Sequence, residues 1–179
     1  SSAASDVYKR QTLDSLVQDD AGIRYTNSYP FRTSGYMIDK TEVTNAQYKE
    51  FLDATGYKPK WPENFLKHWN NGTYPTGKGG HPVYWVSIED AKAYANWAGK
   101  RLPTEEEWQL AAQGTDGRAW PWGNTYDERK ANMDSEATKK VGSYPDGASP
   151  FGVLDMAGNV WEWTDSKQSD GFHYFCWIR

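Results

Sequence analysis

Few side chains in this sequence are typed and spaced for chemistry. Cys176 is the single thiol, by type a nucleophile or soft-metal ligand once deprotonated. One cysteine excludes an internal disulfide. His68, His81 and His173 have no ligand spacing: no two stand at i, i+4, and none lies beside a cysteine cluster. His81 precedes Pro82 and reads as a turn residue rather than a ligand. The acid run Glu105-Glu106-Glu107 follows a helix-start signal, so we read it as charge at a helix N-terminus rather than as a carboxylate pair for acid–base work. No Ser-His-Asp arrangement and no phosphate-cradling Gly-rich loop stands out. Asn71-Gly72-Thr73 has the N-glycosylation pattern, which matters only in a secreted protein of a glycosylating host, and we assign it no role.

The composition bounds what can hold such residues in place. A chain of 179 residues suits one domain. Aromatic residues make up 16%, with 10 Trp and 12 Tyr, while aliphatic residues are sparse, so the core must be built largely from rings. Rings bury much area, but the Trp N–H and Tyr O–H groups need partners. Turns and polar networks must therefore do much of the holding, in keeping with 16 Gly and 9 Pro. Net charge is -4 with no basic run, which argues against a nucleic-acid partner. No apolar stretch approaches the ~20 residues of a membrane helix.

Ser1 to Gln11 reads SSAASDVYKRQ, the in-frame translation of a widely used transposon-tagging sequencing adapter. We take residues 1–11 as an artefact of metagenomic-type shotgun reading and exclude them from the fold. Either end of the gene is then expected to be missing. The sequence assigns no compartment.

Three helix starts are written locally. Thr44 can cap a helix whose box is closed by Gln47, with Val43 stapled onto Tyr48; Tyr48, Phe51, Leu52 and Thr55 share a face, and Gly56 stops it. Ser87 caps a second helix with acids in its first turn, a stripe of Ala91, Tyr94, Ala95 and Ala98, and a stop at Gly99. Thr104 and Glu107 form a box for a third, with Trp108, Ala111 and Ala112 inward and Gly114 at its end. Between them run long turn-rich stretches. Strand candidates are Gly35 to Lys40, Val83 to Val86 and Val160 to Trp163. The expectation is an α+β domain, low in regular secondary structure, with about three helices on a small irregular antiparallel sheet.

Three segments in order carry a resemblance: MIDKTEVTNAQYKEFLDATG from Met37, HPVYWVSIEDAKAYANWAGKRLPTEEEWQLAAQG from His81, and VGSYPDGASPFGVLDMAGNVWEWT from Val141. Together they resemble the formylglycine-generating enzyme, or sulfatase-modifying factor, family over nearly everything from Asn27 to Arg179. The resemblance implies a C-type-lectin-like fold variant. It also implies one of several roles: a copper-dependent oxidase turning a sulfatase cysteine into formylglycine, the C-terminal half of an iron-dependent sulfoxide synthase, or a non-catalytic surface or lipoprotein module binding protein or glycan.

The oxidase reading leads, with a sulfatase peptide as substrate and a monomer as the expected state. Its two catalytic cysteines follow the GNVWEW motif past a Gly-Gly-Ser turn, so residues 12–179 are expected to be a partial domain lacking that segment. Cu(I) needs converging soft ligands, and one cysteine cannot supply them. Cys176 precedes the family's cysteine pair and reads as a small buried apolar residue on a strand. The resemblance implies structural calcium as well. Asp155 and Glu162 would give side-chain oxygens, and Gly158 and Val160 backbone carbonyls, to one site. Asn132 and Met133 match half of a second, with Asp134 or Glu136 as substitutes for the rest. The binding-module reading rests on Trp61, Trp69, Trp120 and Trp122 as recognition rings; the plainer reading of those rings is core packing.

Overall fold

The computed structural model describes residues 34–166 in full, together with the backbones of five strands that lie wholly or partly outside that range. The elements, in chain order, are β1 (Ser2–Ala4), β2 (Gln11–Asp19), β3 (Gly22–Phe31), β4 (Tyr36–Ile38), α1 (Asn45–Thr55), α2 (Ile88–Trp97), α3 (Glu105–Gln113), β5 (Trp163–Ser169) and β6 (Tyr174–Ile178). Two short 3-10 turns, Glu128–Lys130 and Pro145–Gly147, lie between α3 and β5. The mixed α+β class holds. The sheet differs from expectation: three separate antiparallel ribbons form, β1 with β4, β2 with β3 and β5 with β6.

Each helix begins at a complete capping box. The Thr44, Ser87 and Thr104 side chains accept from the backbone N–H three residues on, and Gln47, Asp90 and Glu107 return the bond to the cap's own N–H. The stops at Gly56 and Gly114 fall where the sequence places them, and Gly99 follows the cap residue Ala98.

Two hydrophobic clusters form. The first joins α1, α2 and the 61–86 loops through Tyr48, Phe51, Leu66, Trp69 and Tyr94. Tyr48 and Phe51 meet edge-on at 5.3 Å, and Phe51 meets Tyr94 edge-on at 5.8 Å. Such pairs add roughly 0.5–1.5 kcal/mol each beyond area burial. The polar demand of these rings is met internally. Asn45, buried at the first position of α1, accepts from the Trp69 indole at 3.1 Å and donates to the Lys78 carbonyl at 2.9 Å. Asp90 accepts from the Tyr57 hydroxyl at 2.8 Å while closing its own box. The second cluster joins α3 to the chain after the second 3-10 turn through Trp108, Ala111, Ala112, Val153 and Met156.

Val83 to Val86 is not a strand. Trp85 has φ 58°, the left-handed region, which breaks any extended run. Its carbonyl accepts from Leu66 N–H, and Lys67 lies over its ring at 3.2 Å from the centroid. Pro82 forms an isolated bridge with Thr44. The third strand candidate is displaced, with β5 beginning at Trp163.

Candidate metal-binding loop

The segment Asp155 to Glu162 is held open by unusual backbone. Asp155 and Asn159 have φ of 58° and 66°. Gly158, at φ 78°, touches the neighbouring chain so closely that a Cβ there would stand 2.5 Å from the Asn132 carbonyl oxygen. Only glycine fits both demands. Asn132 and Gly158 form a parallel bridge, so the residues expected to start a second site are stitched to the first.

Asn159 is the hub of this stitching. Its N–H donates to the Asn132 carbonyl at 2.9 Å. Its side-chain Oδ1 accepts from Lys139 N–H at 2.8 Å and from the Asn132 amide at 3.2 Å. Its Nδ2 donates to Glu42 Oε2 at 3.1 Å. Asn132 also donates to the Ala137 carbonyl. Met133, by contrast, is 40% exposed, and Asp134 and Glu136 face solvent.

Three carboxylates surround the loop. Asp155 is buried at 8% exposure, and its Oδ2 accepts from Gly142 N–H at 2.6 Å. Burial raises its pKa, and the Gly142 bond opposes the rise. Glu162 Oε2 accepts from the Trp108 indole at 3.0 Å. Burial pushes its carboxyl up to about 7; the Trp108 bond opposes this and the Asp155 charge adds to it. Glu42, just before α1, is raised furthest, to about 9, by burial first and then by the charges of Glu162 and Asp155. Bonds from the Asn159 side chain and the Val160 backbone hold it partly down. Sequence reasoning missed both Glu42 and Asn159. The local signal for the latter is the GN pair inside the 155–162 segment; for Glu42 there is none.

The donors here are all oxygen, the type suited to a hard divalent cation. The side chains do not stand ready as a cage: among the described residues, no three His, Cys, Asp or Glu converge as a metal-binding group.

The remaining candidates are placed elsewhere. His81 is a turn residue as read: its carbonyl accepts from Asn45 N–H, its N–H donates to Lys78, and its ring meets Thr138 Oγ1 at 3.1 Å. His68 stacks on Tyr84 at 3.8 Å, with both ring nitrogens buried and unpartnered. His173 and the side chain of Cys176 lie outside the described residues. Glu107 pairs with Arg101 through two bonds of 2.6 and 2.7 Å. Trp69 is core, at 8% exposure, and cannot touch a partner. Trp120 and Trp122 stack on each other at 5.5 Å, whereas Trp61 and Trp161 are exposed. A cavity of about 540 Å³ lies beside this stack, lined by Trp122, Tyr126, Asp127 and Arg129 among others. Among the described residues no helix is long and apolar enough to cross a membrane.

Comparison with known proteins places the chain. Residues 15–174 match the family described as the sulfatase-modifying factor enzyme 1-like domain. The chain is 32% identical to the formylglycine-generating enzyme of Mycobacterium tuberculosis, over 80% of this chain and 68% of that protein. It is 37% identical to the hercynine oxygenase of Mycolicibacterium smegmatis, over 73% of this chain and 37% of that protein. It is also 38% identical to the serine/threonine-protein kinase Pkn1 of Chlamydia trachomatis, over 78% of this chain and 24% of that protein.

Proposed function

The chain belongs to the family of sulfatase-modifying factor enzyme 1-like domains, and we propose that the protein carrying it oxidises a cysteine in a sulfatase peptide to formylglycine. The observation that carries this is the match to formylglycine-generating enzymes, at 32% and 34% identity over 80% and 79% of this chain. The match spans 68% of a formylglycine-generating enzyme, so this domain makes up most of that protein.

The finer fold we infer is the C-type-lectin-like variant, supported by low regular structure and by cores held together by loops. The share of the work we assign to the described residues is scaffolding. Copper does not fit the residues present, since two thiolates are needed and the sequence has one cysteine. Calcium fits better. Asp155 brings a buried carboxylate to the loop, Glu162 a half-buried one held by the Trp108 indole, and Glu42 has a buried oxygen without a partner. Asp155, Glu162 and the carbonyls of Gly158 and Val160 would hold the ion. Its role would be to fix the loop, with no part in the redox chemistry. The second ion would sit on Asn132 and Met133, where the Asn132 carbonyl also accepts from Asn159 N–H. The protein is expected to act as a monomer.

The 37% identity to a hercynine oxygenase favours one second reading, that of a sulfoxide-synthase half. The two separate by product. The full reading frame is supplied aerobically with copper and a sulfatase cysteine peptide, and in parallel with iron, a thiol and hercynine. Mass spectrometry is expected to find the peptide cysteine converted to an aldehyde and hercynine unchanged. Sulfur added to hercynine, with the peptide intact, overturns the proposal.

A further inference from the structure

His68 lies face to face with Tyr84, the ring centres 3.8 Å apart and the planes 16° from parallel, and Trp69 meets it edge-on at 6.4 Å. Both of its ring nitrogens are shut off from solvent, and neither has a hydrogen-bond partner. A neutral imidazole carries one N–H and one bare nitrogen, so the closed fold leaves a donor and an acceptor unsatisfied. Buried polar atoms are paired in the great majority of cases, and the exceptions call for an explanation.

An imidazolium in that place would be worse off, with two unsatisfied donors and a charge. Among the described ion pairs none includes His68, so no carboxylate stands ready for it. The titratable group that faces the ring from the 83–86 segment is Tyr84. On its own segment Lys67 is adjacent, a cation already placed over the Trp85 ring at 3.2 Å. Burial is what holds the His68 ring below its ordinary pKa of 6.5.

The two segments that enclose the ring are also strained. Leu66 and Trp85 have φ of 47° and 58°, the left-handed region that bulky side chains seldom enter. Leu66 N–H donates to the Trp85 carbonyl at 2.8 Å, and the Leu66 carbonyl accepts from Trp69 N–H at 2.7 Å. Strained backbone persists only where its surroundings over-determine it. Here the surroundings are the His68–Tyr84 stack, the Leu66–Trp85 bond and the Lys67–Trp85 contact, which together clasp one short segment to the other.

We propose that His68 is the acid-sensitive trigger of this clasp: taking up a proton drives the ring out of its stack on Tyr84 into water, and the 65–69 and 83–86 segments part. The effect reaches the core, because Trp69 is buried and its indole donates to Asn45 at the head of α1. The direction in pH follows from the ring's burial. Above 6.5 the ring is neutral in the open and the closed forms, and the clasp holds. Below 6.5 the open form binds a proton that the closed form refuses, so opening gains until the closed form's own lower pKa is reached.

Two measurements on the full chain test this. The His68 ring is titrated by NMR, and protection of the Leu66 and Trp69 amides is followed by hydrogen exchange from about pH 7.5 to about pH 5, in wild type and in His68→Phe. Phenylalanine keeps a flat ring against Tyr84 and has no nitrogen to titrate. His81 is likewise held below its ordinary pKa, by burial and then by Lys78, so the difference between the two chains isolates His68. The ring should stay neutral below pH 6.5 in the closed chain. Wild-type protection at Leu66 and Trp69 should fall by up to about tenfold per pH unit in that window, one proton's worth. His68→Phe should hold its protection, and the α3 amides should hold theirs in both chains. A His68 ring that titrates at its ordinary value overturns the proposal, and this readout needs no variant to fold. Protection at Leu66 and Trp69 that falls equally in both chains, or a wild-type fall that is equal in α3, overturns it as well.

Discussion

Gly158 is where the chain is least free to vary. Its φ of 78° disfavours any L side chain, and a Cβ would meet the Asn132 carbonyl at 2.5 Å. Gly152 has nearly the same φ, 76°, with open space around it. The pair separates the two effects. Gly152→Ala should cost about 1 kcal/mol, the left-handed penalty alone. Gly158→Ala should cost roughly 2–4 kcal/mol, because the backbone must also move apart. Urea denaturation of both variants measures the difference, and equal losses would mean the Asn132 contact does not hold the loop. At this scale the sequence was partly legible. Asp155 and Glu162 stand out within a motif, while Glu42 and Asn159 do not, since their roles depend on a contact between segments far apart in the chain.

The helices were the most legible elements, because a cap and its box lie within four residues and need no tertiary knowledge. Asn45 escaped notice for the opposite reason. Its task is to satisfy Trp69 and Lys78, both supplied by a distant loop. The 83–86 strand failed because Trp85 adopts a left-handed conformation under Leu66 and Lys67. The start of α3 carries a pH prediction. Burial alone would raise the Glu107 pKa, but the Arg101 bonds and the Thr104 N–H outweigh it and lower it. A carboxylate lowered on folding stabilises fully above its unfolded value, near 4.5, and that contribution is lost as pH falls through the folded value. Glu107→Gln keeps the box but loses the ion pair. At pH 7 it should be roughly 1–2 kcal/mol less stable than wild type, a modest figure because Arg101 is largely exposed. The gap should close on acidification below the ordinary glutamate range. Thermal melts across pH check this, and a gap that persists at low pH would contradict it.

At the scale of the molecule, an aromatic-rich first cluster and a largely aliphatic second one are joined less by shared core than by hydrogen-bonded loops. Leu154 N–H reaches the Lys40 carbonyl, Val141 N–H reaches Gly80, and Asn159 gathers residues 42, 132 and 139. The class of the fold could be read from the helix starts; a core built largely from rings holds for the first cluster, while the second is mostly Ala, Val and Met. The division of the sheet into ribbons could not be read, because pairing depends on which loops close around them. A fold braced this way concentrates its stability at the few points where loops meet, and the loop from Asp155 to Glu162, with a carboxylate at each end, is one of them. That a hard cation braces it is the central claim, and a melting curve tests it directly. The chain is unfolded by heat in chelator, in excess magnesium and in excess calcium, with Asp155→Ala and Glu162→Ala alongside. Calcium should raise the wild-type melting temperature by several degrees, magnesium should do so much less, and neither variant should respond. A wild-type melting temperature indifferent to calcium, or variants that respond as wild type does, would contradict the account.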